Sequence, residues 1–455
     1  MDNTALYQDL VRVDRDVARA HAAQTAWRTA LAKDPEANTD REPLGSFRHV
    51  AGRSAYLAIT GDGKPVTGGD APLREGLGRW LAHLTLARIT RDLDAEIAQE
   101  VSVKEARFTL VEGKRVSFDE ACRMVPIAPT PVETDAWLAA AAERAPRIAA
   151  SLRERDAHRE EAALRLGLTG TWALATRVPY AAVLAACEEL LVATRTLQAD
   201  VLKEARTKAD GPPRRSPFDA LALAVARDAN EGWPAHLQPR WLLETFPSYV
   251  KGLRMELAPL PTAVGAASFA RALGAFGFAL RVAGPAPSLP FALARDPQQA
   301  DAHRFAGLFA QLAASREFQL RALGNVARVA TAQARVVARG LLFSARMEAA
   351  RVLLARDPSR FEELTTEVFG AALPSALAAA WPRRPDDAPV RAIALFTTLP
   401  LVHELRDRFD SDWFRNPRAA LYLRARASAP AWDDTAELDP AAPRALARAL
   451  EDAAV

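Results

Sequence analysis

The sequence predicts a mainly α-helical protein, and three observations carry that expectation. Apolar residues recur at three- and four-residue steps through most of the 455 residues, the period of an amphipathic helix and not of a strand. Proline and glycine collect between those stretches, in "VPIAPTPVET", "GPAPSLP" and "WPRRPDDAP", where they stop helices and set turns. Apolar–polar alternation, the mark of a half-buried strand, is confined to two short N-terminal stretches.

Taken in order, "ALYQDLVRVDRDVARAHAAQTAWRTALA" opens the chain as a long helix. "AYLAITGDGKPV" alternates around Gly61-Asp62-Gly63 and reads as a hairpin or, nearly as well, as a decorated loop between helices. "ARFTLVEGKRVSFDEA" alternates around Glu112-Gly113 and then enters a helix at Ser117. With Glu120, Ser117 makes a capping box, in which hydroxyl and carboxylate satisfy reciprocal orphan amides. The proline-rich joint closes an N-terminal helical region with short hairpins, residues 1–130, and a second helical region follows, residues 131–455. Thr134 is expected to cap a long helix stopped by Gly167 in "RLGLTG". "YAAVLAACEELLVATRTLQADVL" reads as one further helix, and "KADGPPRRSP" as a polar joint over residues 208–217. "SFARALGAFGFALRVAG", residues 268–284, is an apolar helix, and "SREFQLRALGNVARVATAQARVVARGLLFSARMEAARVLLA" is periodic throughout. No repeat recurs at solenoid spacing.

Apolar residues make up 49% and charged ones 25%, the balance of an ordinary globular chain and not of a disordered one. Seven of the 59 basic residues are lysine and the rest arginine; with the abundance of alanine, this is the bias of a GC-rich coding genome. The 56 acidic residues are interleaved with the arginines, as in "RERDAHREE". Such mixing marks solvated helix faces laced with ion pairs and argues against a nucleic-acid-binding stripe. Cys122 and Cys187 stand 65 positions apart, which is no metal-like spacing, so a reducing compartment is expected. "MDNTALYQDLVRVDRD" is acidic from its second residue and lacks the apolar core of a signal peptide. The longest run free of Asp, Glu, Lys and Arg, Val368 to Pro382, is too short and too broken by Gly and Pro to cross a bilayer. The expectation is a cytoplasmic protein with neither a membrane nor a nucleic-acid partner.

Three segments carry more than texture. "REEAALRLG", Arg159 to Gly167, has the form Arg-x-Glu-x-Ala-x-x-Leu-Gly on a long helix. "SFARALGAFGFAL" is preceded by "LRMELAPL", and "LVHELRDRFDSDWFRNPRAALYLR" closes in an Asp-Trp-Phe-x-x-Pro element. Together, over residues 115–430, they resemble the oligopeptidase F and thimet oligopeptidase group of zinc peptidases, the gluzincins. The resemblance implies a helical, metallopeptidase-like fold with a central cleft, and it sets residues 268–284 where that group carries its His-Glu-x-Gly-His helix.

The chemistry of that helix needs two histidines one turn apart on one Zn²⁺ and a Glu beside the first to take a proton from the metal-bound water. Aligned on the shared Leu-Gly, this chain has Arg271, Ala272, Leu273, Gly274 and Ala275. Both helix ligands and the base are missing, and Arg271 sets a permanent cation where a dication would sit. The third ligand, a Glu in the group, falls near His303, with Asp301 close by. The group's Tyr and His oxyanion donors have no tyrosine counterpart between Tyr249 and Tyr422, and His403 alone remains. The resemblance therefore implies a pseudopeptidase with no catalytic residues and no cofactor. It would bind a peptide or protein through residues such as Arg271, His303 and His403, or pair with an active peptidase homologue.

Alternatives stand beside this. The seven histidines include no pair within four residues, but "HELRD" puts His403 and Asp407 on one helix face with Glu404 as a base. That reads as a relocated metal site or as an exposed face of acids against Arg406 and Arg408. Trp413 and Phe414 would line a groove or fill core, and Phe276 and Phe278 would fill the cleft or leave it open. A helical scaffold without a cleft is the remaining reading.

Overall fold

The computed structural model describes residues 9–35, 42–61, 69–125, 128, 130–208, 232–234, 237–257, 260, 265–378, 380, 388–430 and 437–454. The first helices are α1 (Leu10–Lys33), α2 (Arg53–Thr60), α3 (Ala71–Ile89) and α4 (Arg91–Ser102). Strands β1 (Ala106–Arg107) and β2 (Arg115–Val116) form one antiparallel hairpin, followed by α5 (Phe118–Met124), α6 (Pro131–Arg165) and α7 (Trp172–Ala175). Next come α8 (Tyr180–Ala193), α9 (Arg195–Lys208), α10 (Pro239–Thr245), α11 (Pro247–Val250) and α12 (Ala266–Ala283). Then follow α13 (Phe291–Ala294), α14 (Ala300–Leu312), α15 (Arg316–Arg321), α16 (Ala327–Arg356) and α17 (Phe361–Phe369). The last are α18 (Ala388–Phe409), α19 (Pro417–Ser428) and α20 (Ala442–Ala454). The protein is mainly α.

Local chemistry explains most boundaries. The Ser117 hydroxyl accepts the N–H of Glu120 at 3.1 Å, as half of a capping box does. Gly113 turns the hairpin with φ +71°, a left-handed conformation suited to glycine. At the end of α6, Gly167 is left-handed, and the amides of Leu168 and Gly167 reach back to Ala163 and Leu164 at 3.1 and 2.9 Å. That pair of bonds is a Schellman stop.

Several expectations need correction. The stretch from Ala55 to Thr60 lies in α2, not in a strand, and the turn after Gly61 lies outside the described residues. Its apolar positions Ala55 and Ile59 stand one helical turn apart and both are buried. The cap of α6 is Thr130, one turn before Thr134, whose own hydroxyl donates to the Thr130 carbonyl. The expected single helix after Tyr180 is two, α8 and α9, broken at Thr194. Arg346 of α16, fully buried, causes the break by donating to the Leu191 carbonyl and the Thr194 hydroxyl and, on its other side, to Glu367. Burial pulls its pKa down to about 10 against the support of Glu367. Ahead of α12, residues 253–257 carry neither helix nor strand. The joint at 208–217 lies outside the described residues but for Lys208, as does most of "WPRRPDDAP".

The apolar cores do not respect a boundary at residue 130. Ile97, Phe108, Phe118 and Val125 share one core with Trp137 of α6, Leu190 of α8 and Leu353 of α16. A second core joins Phe246, Phe269, Phe276, Phe309, Phe318 and Trp413. A third packs α1, α2 and α3 around Trp80 and takes in Ala292 of α13. That last contact is a seam. The Asp14 carboxylate accepts the amides of Phe291 and Ala292 at 2.8 Å, and the Trp80 indole N–H donates to the Arg295 carbonyl at 2.8 Å.

Two buried titratable groups sit along this seam. His21 lies edge-on to Trp80 and tilted against Phe291, with its Nδ1 buried and unbonded. Burial first, then the charges of Arg295 and Arg28, lowers its pKa from 6.5 to about 4. Asp296 is buried, accepts the amides of Gln298 and Ala300 at 2.8 and 3.0 Å, and is pushed by burial from 3.8 to about 7. Their linkages have opposite sign. As pH falls from 6.5 to about 4 the unfolded chain protonates His21 where the fold resists, so stability falls. As pH rises from 3.8 to about 7 the unfolded chain ionises Asp296 where the fold resists, so stability again falls. In urea titrations across this range, Asp296→Asn should make stability climb more steeply with pH than in the parent. His21→Gln should make it climb less or decline.

Candidate functional site

A cleft is built on a close-packed helix pair. A Cβ on Gly277 of α12 would lie 2.3 Å from the Phe305 carbonyl of α14, and one on Gly274 would lie 3.4 Å from the Ala306 carbonyl. Gly307 meets α18 in the same way, a Cβ there falling 2.8 Å from the Thr398 hydroxyl. Glycine at 277 lets the two backbones approach, and at 307 it makes room for the Thr398 side chain. Over its whole length of 18 residues α12 is apolar enough to pass for a membrane span, and 61% of it is buried inside the protein. Phe269, Leu273, Phe276 and Leu280 supply that burial, with Phe246 stacked on Phe276 at 4.8 Å.

The opposite face of the pair floors a cleft of about 1510 Å³. Arg271, Gly274, Ala275 and Phe278 of α12 line it together with His303 and Ala306 of α14. From α16 and α18 come Glu348, Arg351 and Arg391; from α1, α3 and α5 come Arg28, His83, Asp119 and Cys122. A second chamber of about 1080 Å³ shares Arg28, His83 and Gln298 with the first and continues past Arg159, Trp172 and Tyr180. Arg159 itself is held by Asp94 at 3.2 Å, and Glu160 by the amide and hydroxyl of Thr171.

Four candidate residues are therefore brought together: Arg271, Gly274, Ala275 and His303. Arg271 is exposed to the cleft and forms no hydrogen bond or ion pair among the described residues. The His303 ring meets Phe278 edge-on at 5.3 Å. Phe278 lines the cleft without closing it, and Phe276 is core. Ala272 is also core, 4% exposed, so the position of the expected base does not line the cleft. Across the floor, Glu348 pairs with Arg351 at 2.6 Å and approaches Arg391 at 4.0 Å, while its second oxygen is buried and unbonded. Burial raises the Cys187 thiol out of its ordinary range, far from nucleophilic use.

Other candidates fall elsewhere. His403 is not a cleft residue: it and Asp407 are exposed on α18. Glu404 accepts the Tyr422 hydroxyl and pairs with Arg408 at 3.0 Å and Arg426 at 3.5 Å, so the exposed-face reading describes it. Trp413 and Phe414 are core, 2% and 1% exposed. Arg28, His83, Gln298 and the Glu348–Arg351–Arg391 group escaped sequence reasoning, because nothing local distinguishes them from other helix-surface residues.

The residues present do not fit the zinc that the resemblance implies. Zinc needs three converging N, O or S ligands, and the two helix positions hold Arg271 and Ala275. Asp301 is taken by Arg281 at 3.3 Å and Arg304 at 3.7 Å. Among the described residues no three of His, Cys, Asp and Glu converge. No protein-family model matches the chain, and no curated protein matches it.

The helix pair yields a test of packing. Gly277→Ala drives a Cβ into a backbone carbonyl that no side-chain rotation relieves, and should cost about 1–3 kcal/mol by chemical denaturation. Gly274→Ala meets ordinary contact distances, and its higher helix propensity should leave stability level or raised by about 0.5–1 kcal/mol.

Proposed function

We propose that this is a peptidase-like protein of the cytoplasm that binds a peptide segment in its central cleft and does not hydrolyse it. One observation supports the reading above the rest. The positions at which the related zinc peptidases carry two ligands, and the region of the third, line one face of one large cleft as Arg271, Ala275 and His303. This supports a retained binding surface, while the electrophile that would polarise a scissile carbonyl has no ligand set among the described residues. A concave site with an apolar floor and convergent polar groups has the form of a binding site, and its presence speaks against a scaffold without a groove.

The test uses the full chain and a fluorescein-labelled octapeptide library. Saturable anisotropy with every bound peptide recovered intact by mass spectrometry, in buffer and in added zinc, is the expected result. Absence of binding, or turnover abolished by a chelator, overturns the proposal. Turnover lost in Glu404→Gln, with the fold intact by circular dichroism, would assign chemistry to His403, Glu404 and Asp407 instead.

A further inference from the structure

We infer that Arg271 is a carboxylate anchor, so that the cleft selects peptides presenting a carboxylate to the α12–α14 floor. The inference rests on the peptide-binding reading and gives it a ligand chemistry.

The buried arginines of this chain are matched by acids or carbonyls. Arg281 pairs with Asp301 and two carbonyls, Arg346 with Glu367, and Arg144 with Glu100 and Glu105. In the cleft, Arg351 and Arg391 share Glu348, and Arg28 is engaged within the protein. Arg271 differs from all of these, as it lines the cleft with no carboxylate or carbonyl of the described residues on its guanidinium. Its flanking cleft positions on α12 are Ala267, Ala270, Gly274 and Ala275, so no bulky neighbour on its own helix competes for the fork. A guanidinium presents paired N–H donors that match a carboxylate bidentately.

The anchor is local and not a general electrostatic funnel. Asp119 and Glu256 also line the cleft, and neither forms an ion pair with Arg271 within 4.0 Å. The Glu256 carboxylate disfavours a bound carboxylate nearby, which leaves Arg271 as the unmatched cation among the described cleft residues. His303 and Phe278, a packed edge-to-face pair on the same floor, add an imidazole and an aromatic face for the residue carrying that carboxylate. Two sources supply the group, a peptide's C-terminal carboxylate or an Asp or Glu side chain.

Three labelled octapeptides with otherwise identical neutral sequences separate these sources: one with a free C-terminus, one amidated with a single Glu, and one amidated with Gln in its place. Against the parent protein, at least one carboxylate peptide should bind about 10–100-fold more tightly than the neutral one, the range expected for a hydrogen-bonded charge. Arg271→Gln should abolish that preference, costing the carboxylate peptides more affinity than the neutral one, and Arg271→Lys should restore part of it. Arg271 is exposed, so both variants should melt as the parent does. Equal binding of all three peptides to the parent, or an equal loss for all three in Arg271→Gln, overturns the anchor alone. Failure of the parent to bind any peptide removes the peptide-binding reading and the anchor with it.

Discussion

The cleft depends on the approach of α12 to α14. Gly277 has no side chain because the Phe305 carbonyl occupies the space, and Gly307 repeats the arrangement against Thr398 of α18. Close backbones turn three helices into a nearly continuous layer with two distinct faces. One face carries the aromatic core from Phe246 to Phe318 and Trp413, which fixes the layer. The other is left with Gly274, Ala275, Ala306 and Ala310, residues too small to fill the space above them. A layer of larger residues would have moved the helices apart and closed the cleft at once.

The opposite side of the cavity is held by polar contacts. The carboxylate of Asp14 fixes the start of α13, Trp80 fixes Arg295, and Asp296 fixes the turn into α14. That turn places Gln298 at the junction of the chambers, with Gln299 in a left-handed conformation and its side-chain amide oxygen buried without a partner. Backbone strain and an orphaned acceptor both cost free energy. The surrounding bonds from α1 and α3 hold the turn despite that cost, so the N-terminal helices take part in shaping a site formed mostly by later ones.

How far this was legible in the sequence follows from the range of the forces involved. Local ones were: the Ser117 cap, the Gly113 turn and the Gly167 stop are decided by residues within a few positions. Helix existence was too, since periodicity reports which face is buried. The break at Thr194 was not, because its cause, Arg346, lies 152 residues away. The first hairpin misled because Ala55 to Thr60 is too short for a period of two and a period of 3.6 to be told apart. At the site, Arg271, Gly274, Ala275 and His303 were found through a motif's spacing on one helix and its successor. Arg28 and His83 needed the fold, since only tertiary packing brings α1 and α3 over α12.

On the proposed reading, Arg271 stands where a zinc ligand would be, and that position bears on function through the physics of catalysis. Hydrolysis is accelerated by interactions stronger in the transition state than in the ground state, and a metal supplies one by polarising the carbonyl under attack. A guanidinium on a small-residue floor meets a carboxylate equally well whether or not a nearby peptide bond is reacting. Such uniform binding lowers the free energy of the complex and leaves the barrier where it was. On the same reading, Arg271 also disfavours a metal at this place. A fixed cation beside His303 repels a divalent ion from the place its ligands would have to gather, and Asp301, the nearest acid in sequence, is committed to Arg281 and Arg304. An arginine at this position thus favours retention of ligand and disfavours acquisition of the metal, two consequences of one charge.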